Sequence, residues 1–138
     1  MTYCLGIWLP TGLVLASDSR TSAGVDQIST VKKLALFEKP GERVVAILSA
    51  GNLATTQAVI SMIRHNAGGG GAVGPEGDIL AARSLFDVAQ IVGSVLREVM
   101  RLNRSFVEPY GDPSASFLVG GQIAEDGHRL FQVYSAGN

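Results

Sequence analysis

The chain has 138 residues and a mass of 14.4 kDa, enough to bury one core but not two. A formal net charge of −1 and a sequence pI of about 6.1 exclude a basic nucleic-acid footprint, and a hydrophobic share of 46% excludes a disordered tail. Charged residues make up only 17%, against roughly 25% in ordinary soluble domains, and the mean hydropathy is +0.26, so part of the surface reads as interface.

The single cysteine, Cys4, excludes a disulfide framework within the chain and any CxxC motif, and is consistent with a reducing compartment. Two uncharged stretches need separate treatment. Residues 1–17 lack a basic leader, and Pro10, Thr11 and Gly12 interrupt their apolar run, so no signal peptide is read. Residues 44–63 carry Ser49, Gly51, Asn52, Thr55, Thr56, Gln57 and Ser61, too many polar groups for a membrane span. The reading is a soluble cytoplasmic chain.

In chain order, residues 2–9 have the apolar and β-branched character of a strand, residues 10–12 form a turn, and 13–17 a second strand. Residues 20–30 lack periodicity and read as an ordered loop. Residues 34–37 and 43–48 form a second hairpin around Lys39-Pro40-Gly41-Glu42. Asn52 is placed to N-cap a helix to about residue 65, with Leu53, Ala54, Val59, Ile60 and Ile63 available to a core. Gly68 to Gly71, with Gly74, Pro75 and Gly77, read as a flexible connector.

From about residue 84 to 103, Val88, Ile91, Val92, Val95, Leu96, Val99 and Met100 recur at helical spacing. Asp87, Gln90, Ser94, Arg97, Glu98 and Arg101 hold the opposite face. Residues 115–123 and 130–135 form a last hairpin around Glu125-Asp126-Gly127. Four strands, two helices and two strands argue for an α+β fold with helices layered on a mostly antiparallel sheet, one face of which lacks cover within these residues.

Several chemistries are excluded. The glycine run lacks the Lys-Ser or Lys-Thr of a phosphate cradle. His65 and His128 stand apart from any metal-ligand spacing and read as surface histidines. No Gly-x-Ser-x-Gly elbow positions a serine. The unusual feature is the start, Met1-Thr2: removal of Met1 exposes a threonine whose α-amine, of reference pKa roughly 7.7–8.0, is a base beside its own hydroxyl.

The residues carrying a family likeness are Thr2, Ala16-Ser17-Asp18-Ser19-Arg20, Thr30-Val31-Lys32-Lys33-Leu34 and Ser49-Ala50-Gly51-Asn52, with Phe117 to Gly121 and Leu130 to Tyr134 as a later hairpin. Together they resemble a proteasome-type β-subunit of the N-terminal-nucleophile hydrolases. The piece Ser49 to Gln57 is closest to the bacterial Anbu group. The resemblance implies a four-layer αββα sandwich of which residues 1–138 are the N-terminal part, a single domain lacking its C-terminal portion.

It also implies a threonine-type peptidase that cleaves amide bonds, with Thr2 as nucleophile, Lys33 as the cation beside its hydroxyl and Asp18 as the carboxylate orienting that lysine. Lys32 is expected on the other face of the strand. In related subunits a glycine amide after the fourth strand forms the oxyanion hole. The gap-free match puts Leu48 there, leaving the amide of Leu48 or Ser49 as donor, and puts Ser22 where substrate backbone pairs. No metal or organic cofactor is implied. The partners implied are identical subunits, in a ring or open helical assembly, and a peptide or protein substrate, with no nucleic acid and no membrane. The alternative reading is a noncatalytic self-assembling scaffold or binding subunit of the same fold.

Overall fold

The computed structural model describes residues 2–22, 28–71 and 75–135. The strands are β1 (Cys4–Leu9), β2 (Gly12–Ser17), β3 (Arg20–Ser22), β4 (Ile28–Thr30), β5 (Leu34–Lys39), β6 (Arg43–Gly51), β7 (Ala115–Ile123) and β8 (Gly127–Tyr134). The helices are α1 (Leu53–Asn66) and α2 (Leu85–Val107). All described pairings are antiparallel: β5, β6, β7 and β8 form one four-stranded sheet in that order, and β1–β2 and β3–β4 are separate ribbons.

The mostly antiparallel α+β reading holds, with one correction: residues 20–30 are not a single loop. Arg20 pairs with Thr30 and Ser22 with Ile28, a three-residue ribbon held by backbone bonds and too short to show a side-chain period.

Three layers stack among the described residues. On one face of the sheet Phe37, Val45, Ile47, Phe117, Val119 and Val133 meet Val59 and Ile63 of α1 and Val88, Val92 and Leu96 of α2 in one buried cluster. The opposite face is covered in part by the β1–β2 ribbon; Leu36 and Val44 on it stay exposed, and the ribbon's own outer face, with Ile7, Leu9 and Val14, is uncovered among the described residues, so the expectation of an uncovered face holds for the ribbon. Gly6 and Gly120 mark that contact, because a Cβ on either would fall 3.0 Å from a leucine side chain, Leu130 or Leu15 respectively. Strand β6 therefore reads as four consecutive buried residues, Val45 to Leu48, as a strand covered on both faces should.

Helix α1 begins where expected, with the Asn52 side chain accepting from the Thr55 amide at 3.1 Å. Val59, Ile60 and Ile63 face the core as expected, but the first turn does not. Leu53 and Ala54 are exposed, while Thr55 and Thr56 turn inward because they continue the line set by Val59 and Ile63. Their hydroxyls are satisfied by the carbonyls of Pro113 and Leu53. Helix α2 presents the predicted stripe to the core and runs past residue 103 to Val107, with the Arg104–Glu108 pair at its end.

The glycine connector is anchored where it is described. Buried Asp78 accepts from the Gly68 and Leu80 amides, a tie no local pattern announces. Gly74 lies outside the described residues. His128 donates from Nε2 to the Leu9 carbonyl at 2.7 Å and packs beside Trp8, fastening β1 to β8; His65 is exposed. No helix among the described residues is long and apolar enough to cross a membrane.

The turn after β7 also serves α2. Asp126 accepts from the Leu85 amide at 2.9 Å, satisfying one of the orphan donors at the helix start. Asp126→Ala should lower unfolding free energy by about 1 kcal/mol, measured by urea denaturation, and Asp126→Asn should recover most of that loss.

Candidate functional site

Two reciprocal bonds set the site. The Tyr3 amide donates to Asp18 Oδ1 at 2.8 Å, and the Asp18 amide donates to the Tyr3 carbonyl at 3.0 Å. They close the open end of the β1–β2 ribbon and fix Thr2 just ahead of it. Lys33 is held from the other side, its carbonyl accepting from the Ser49 amide at 2.9 Å and the Ser49 hydroxyl at 3.3 Å.

From that position the Lys33 side chain, only 7% exposed, donates to Thr2 Oγ1 at 3.1 Å, Asp18 Oδ2 at 2.8 Å and the Arg20 carbonyl at 2.6 Å. An ammonium has three N–H donors, and all three are engaged. Thr2, Asp18 and Lys33 are thus brought together. Lys32 is exposed and makes none of these bonds, although it lies on the rim of the same cleft.

The electrostatics follow from this geometry. The Lys33 ammonium and then the Tyr3 amide hold the Asp18 carboxyl below its ordinary value. Cys4, two residues along the strand from Thr2, donates its thiol to the Ser49 carbonyl at 3.5 Å. Burial, and then the Asp18 charge, push that thiol up, so it stays protonated and is a poor nucleophile.

The ladder corrects the choice of amide donor. Along an antiparallel strand the N–H groups alternate between the two neighbours. The Ser49 amide points toward β5 and is taken up by the Lys33 carbonyl, so it is not available to a substrate. Leu48 stands opposite Leu34 on one side and Leu118 on the other, and its side chain is fully buried. Gly51 shares the parity of Ser49 but lies beyond the end of β5, where it lines the cleft with Thr2.

Gly51 is the cleft-lining backbone position that the sequence reading did not single out. Its φ is +106°, and a Cβ would stand 2.5 Å from the Ser114 carbonyl oxygen, so only glycine fits. The available signal was Gly51 itself at a strand-to-helix junction. Ser22 ends β3, and its side chain lies outside the described residues. Among the described residues no group of three or more His, Cys, Asp or Glu could hold a metal ion.

Because the Asp18 value is lowered on folding, its contribution to stability is present above the ordinary carboxylate range and is lost as pH falls through the lowered value. Wild type should therefore exceed Asp18→Asn in urea midpoint at pH 7. The two should converge as pH drops below about 3.9, and a constant gap down to the acid limit would contradict this assignment.

No protein-family model and no curated protein matches the chain. Solved structures do. Anbu from Pseudomonas aeruginosa, described as a helical assembly, is 40% identical with a TM-score of 0.87; this chain is covered over 100% of its length and spans 55% of that one. A Gly-1 mutant of Anbu from Hyphomicrobium sp. strain MC1 gives 40% identity and a TM-score of 0.84, with 100% of this chain and 54% of that one covered. Anbu from Yersinia bercovieri, an ancestral β-subunit, gives 40% and 0.81 over 100% of this chain and 54% of its own. Over its whole length the chain is a relative of Anbu, the proteasome-like ancestral β-subunit, and it spans about half the length of the Anbu chains it matches.

Proposed function

We propose that the chain carries the nucleophile end of a threonine-type amide hydrolase, a peptidase subunit in which Thr2 attacks once Met1 has been removed. The observation that carries this is the 3.1 Å bond from the Lys33 ammonium to Thr2 Oγ1. Lys33 gives three hydrogens to three acceptors, so it acts as a fixed positive charge and not as a base. A fixed cation at that distance favours the threonine alkoxide.

The proton of Oγ1 passes to the free α-amine of Thr2 as the oxygen adds to the substrate carbonyl. The oxyanion that forms is received by the Gly51 amide. Collapse breaks the C–N bond, the α-ammonium returns its proton to the leaving amine, and an ester remains on Thr2. Water then repeats the sequence, with the same amine as base, to release the acid and restore Oγ1–H.

The resemblance supports a four-layer αββα sandwich, with a further helix layer over the outer face of β1–β2. There Ile7, Leu9 and Val14 are 40%, 44% and 48% exposed, an apolar surface larger than isolated exposed side chains would make. Self-association in the cytoplasm, in a ring or open helix, is supported by the low charged share of 17% and by the helical assembly of the Pseudomonas aeruginosa relative. Peptides are the proposed substrates.

The protein from its natural source should show an intact mass lacking Met1. A threonine-directed electrophile should then label Thr2. Thr2→Ala should abolish labelling while leaving the fold intact, Lys33→Ala should slow it on the order of 10²-fold or more, and Lys32→Ala should leave the rate unchanged for an electrophile that carries no carboxylate. Labelling that persists in Thr2→Ala overturns the assignment.

A further inference from the structure

The cleft beside Thr2 runs between the edge strand β5 and one face of α1. Leu53, Thr56, Gln57, Ile60, Ser61 and Arg64 line it from the helix, spacings of three and four residues that put all six on one face. Thr2 and Arg64 bound the same cleft, whose volume is about 380 Å³, room for a substrate side chain.

Its charge is one-sided. Lys32, Lys33 and Arg64 line it, and no carboxylate does among the described residues. Lys33 is matched by Asp18, whereas neither Lys32 nor Arg64 forms an ion pair among the described residues. The Arg64 guanidinium lies 5.8 Å from the centroid of the Phe37 ring, a contact that restrains the group while leaving its edge N–H donors free to bind. Thr21, also on the wall, keeps a buried hydroxyl with no hydrogen-bond partner among the described residues. Two cations without an ion-pair partner, beside a third that Asp18 already matches, form a receptor for an anion.

We infer that this cleft selects its substrate by a carboxylate: the side chain that enters it beside Thr2 is Glu or Asp, paired by Arg64 and assisted by Lys32. The inference rests on the hydrolase reading and names its substrate class.

The test uses the Thr2→Ala chain, which binds without reacting, and fluorescent acetyl-tripeptide amides identical except for a last residue of Glu, Gln, Leu or Lys. The Glu peptide should bind about tenfold more tightly than the Gln peptide, the size of one charge-assisted hydrogen bond, and the Lys peptide most weakly. Arg64→Gln in the same background should erase the Glu preference, Lys32→Gln should reduce it, and raising salt from about 0.05 M to about 0.5 M should narrow it. Arg64 is exposed on its helix, so its replacement is not expected to unfold the chain, and far-UV circular dichroism checks this.

Equal binding of Glu and Gln peptides, no binding of the Glu peptide, a preference for Leu, or a Glu preference that survives Arg64→Gln would each overturn the inference. Because the readout is binding alone, failure of Thr2 labelling counts against the hydrolase reading only, and a flat binding profile counts against the selectivity only.

Discussion

A buried ammonium is the constraint on which this arrangement turns. Removing a lysine charge from water costs several kcal/mol unless every N–H finds an acceptor and an opposite charge stands close by. Lys33 meets both conditions with groups from three places in the chain: Thr2 ahead of β1, Asp18 just after β2, and the Arg20 carbonyl in β3. None of these acceptors is near Lys33 unless the β1–β2 ribbon packs on the face of the four-stranded sheet. The packing of the two β-layers and the assembly of the site are therefore one requirement, and the paired Tyr3–Asp18 bonds make the register of the ribbon part of it.

Strand β6 transmits that requirement to the helices. Its inner residues alternate between layers, with Val45 and Ile47 in the helix-side cluster and Ala46 and Leu48 buried on the other face. At its end the chain changes from strand to helix within one residue. The Asn52 amide still follows the ladder, donating to the Ser114 carbonyl at 2.9 Å, while its side chain caps α1 and donates to the Asp112 carbonyl. So abrupt a change demands the left-handed backbone of Gly51, and it leaves Gly51 beyond the end of β5, on the wall of the cleft. The helix that follows supplies one cleft wall, so the position of Arg64 relative to Thr2 is set by a cap and a glycine twelve and thirteen residues away.

What was legible in the sequence was what repeats. The 3.6-residue stripe of α2 and the strands of both large hairpins have periods that report burial directly, Asn52 was recognisable as a local signal, and Asp18 with Lys33 came from the family resemblance. What was not legible depends on contacts between distant segments. The β3–β4 ribbon is held by backbone groups that every residue carries. Thr55 is buried with its hydroxyl on the distant Pro113 carbonyl, a partner that residue type alone does not announce. That the Ser49 amide is taken up within the fold was not legible either, because direction along a ladder depends on which neighbour each N–H meets. The Lys33 carbonyl, not the spacing from Gly51, decides that.

The same geometry narrows where a proton can go. A nucleophilic hydroxyl needs a base, and the surroundings of Thr2 offer few. Lys33 is a donor three times over. Asp18 is the nearest carboxylate, but both of its oxygens accept bonds and its affinity for a proton is lowered by the lysine beside it. The Cys4 thiol holds its own proton. His128 is bound to β1 at the Leu9 carbonyl, and His65 is absent from the cleft wall. Every side chain that serves as base in other hydrolases is thus either committed or remote among the described residues. The remaining candidate is the nitrogen of Thr2 itself, a poor base as a peptide amide and a competent one as a free amine. Removal of one residue ahead of Thr2 would therefore do more than clear the way to the hydroxyl: it would create the base that this arrangement otherwise lacks.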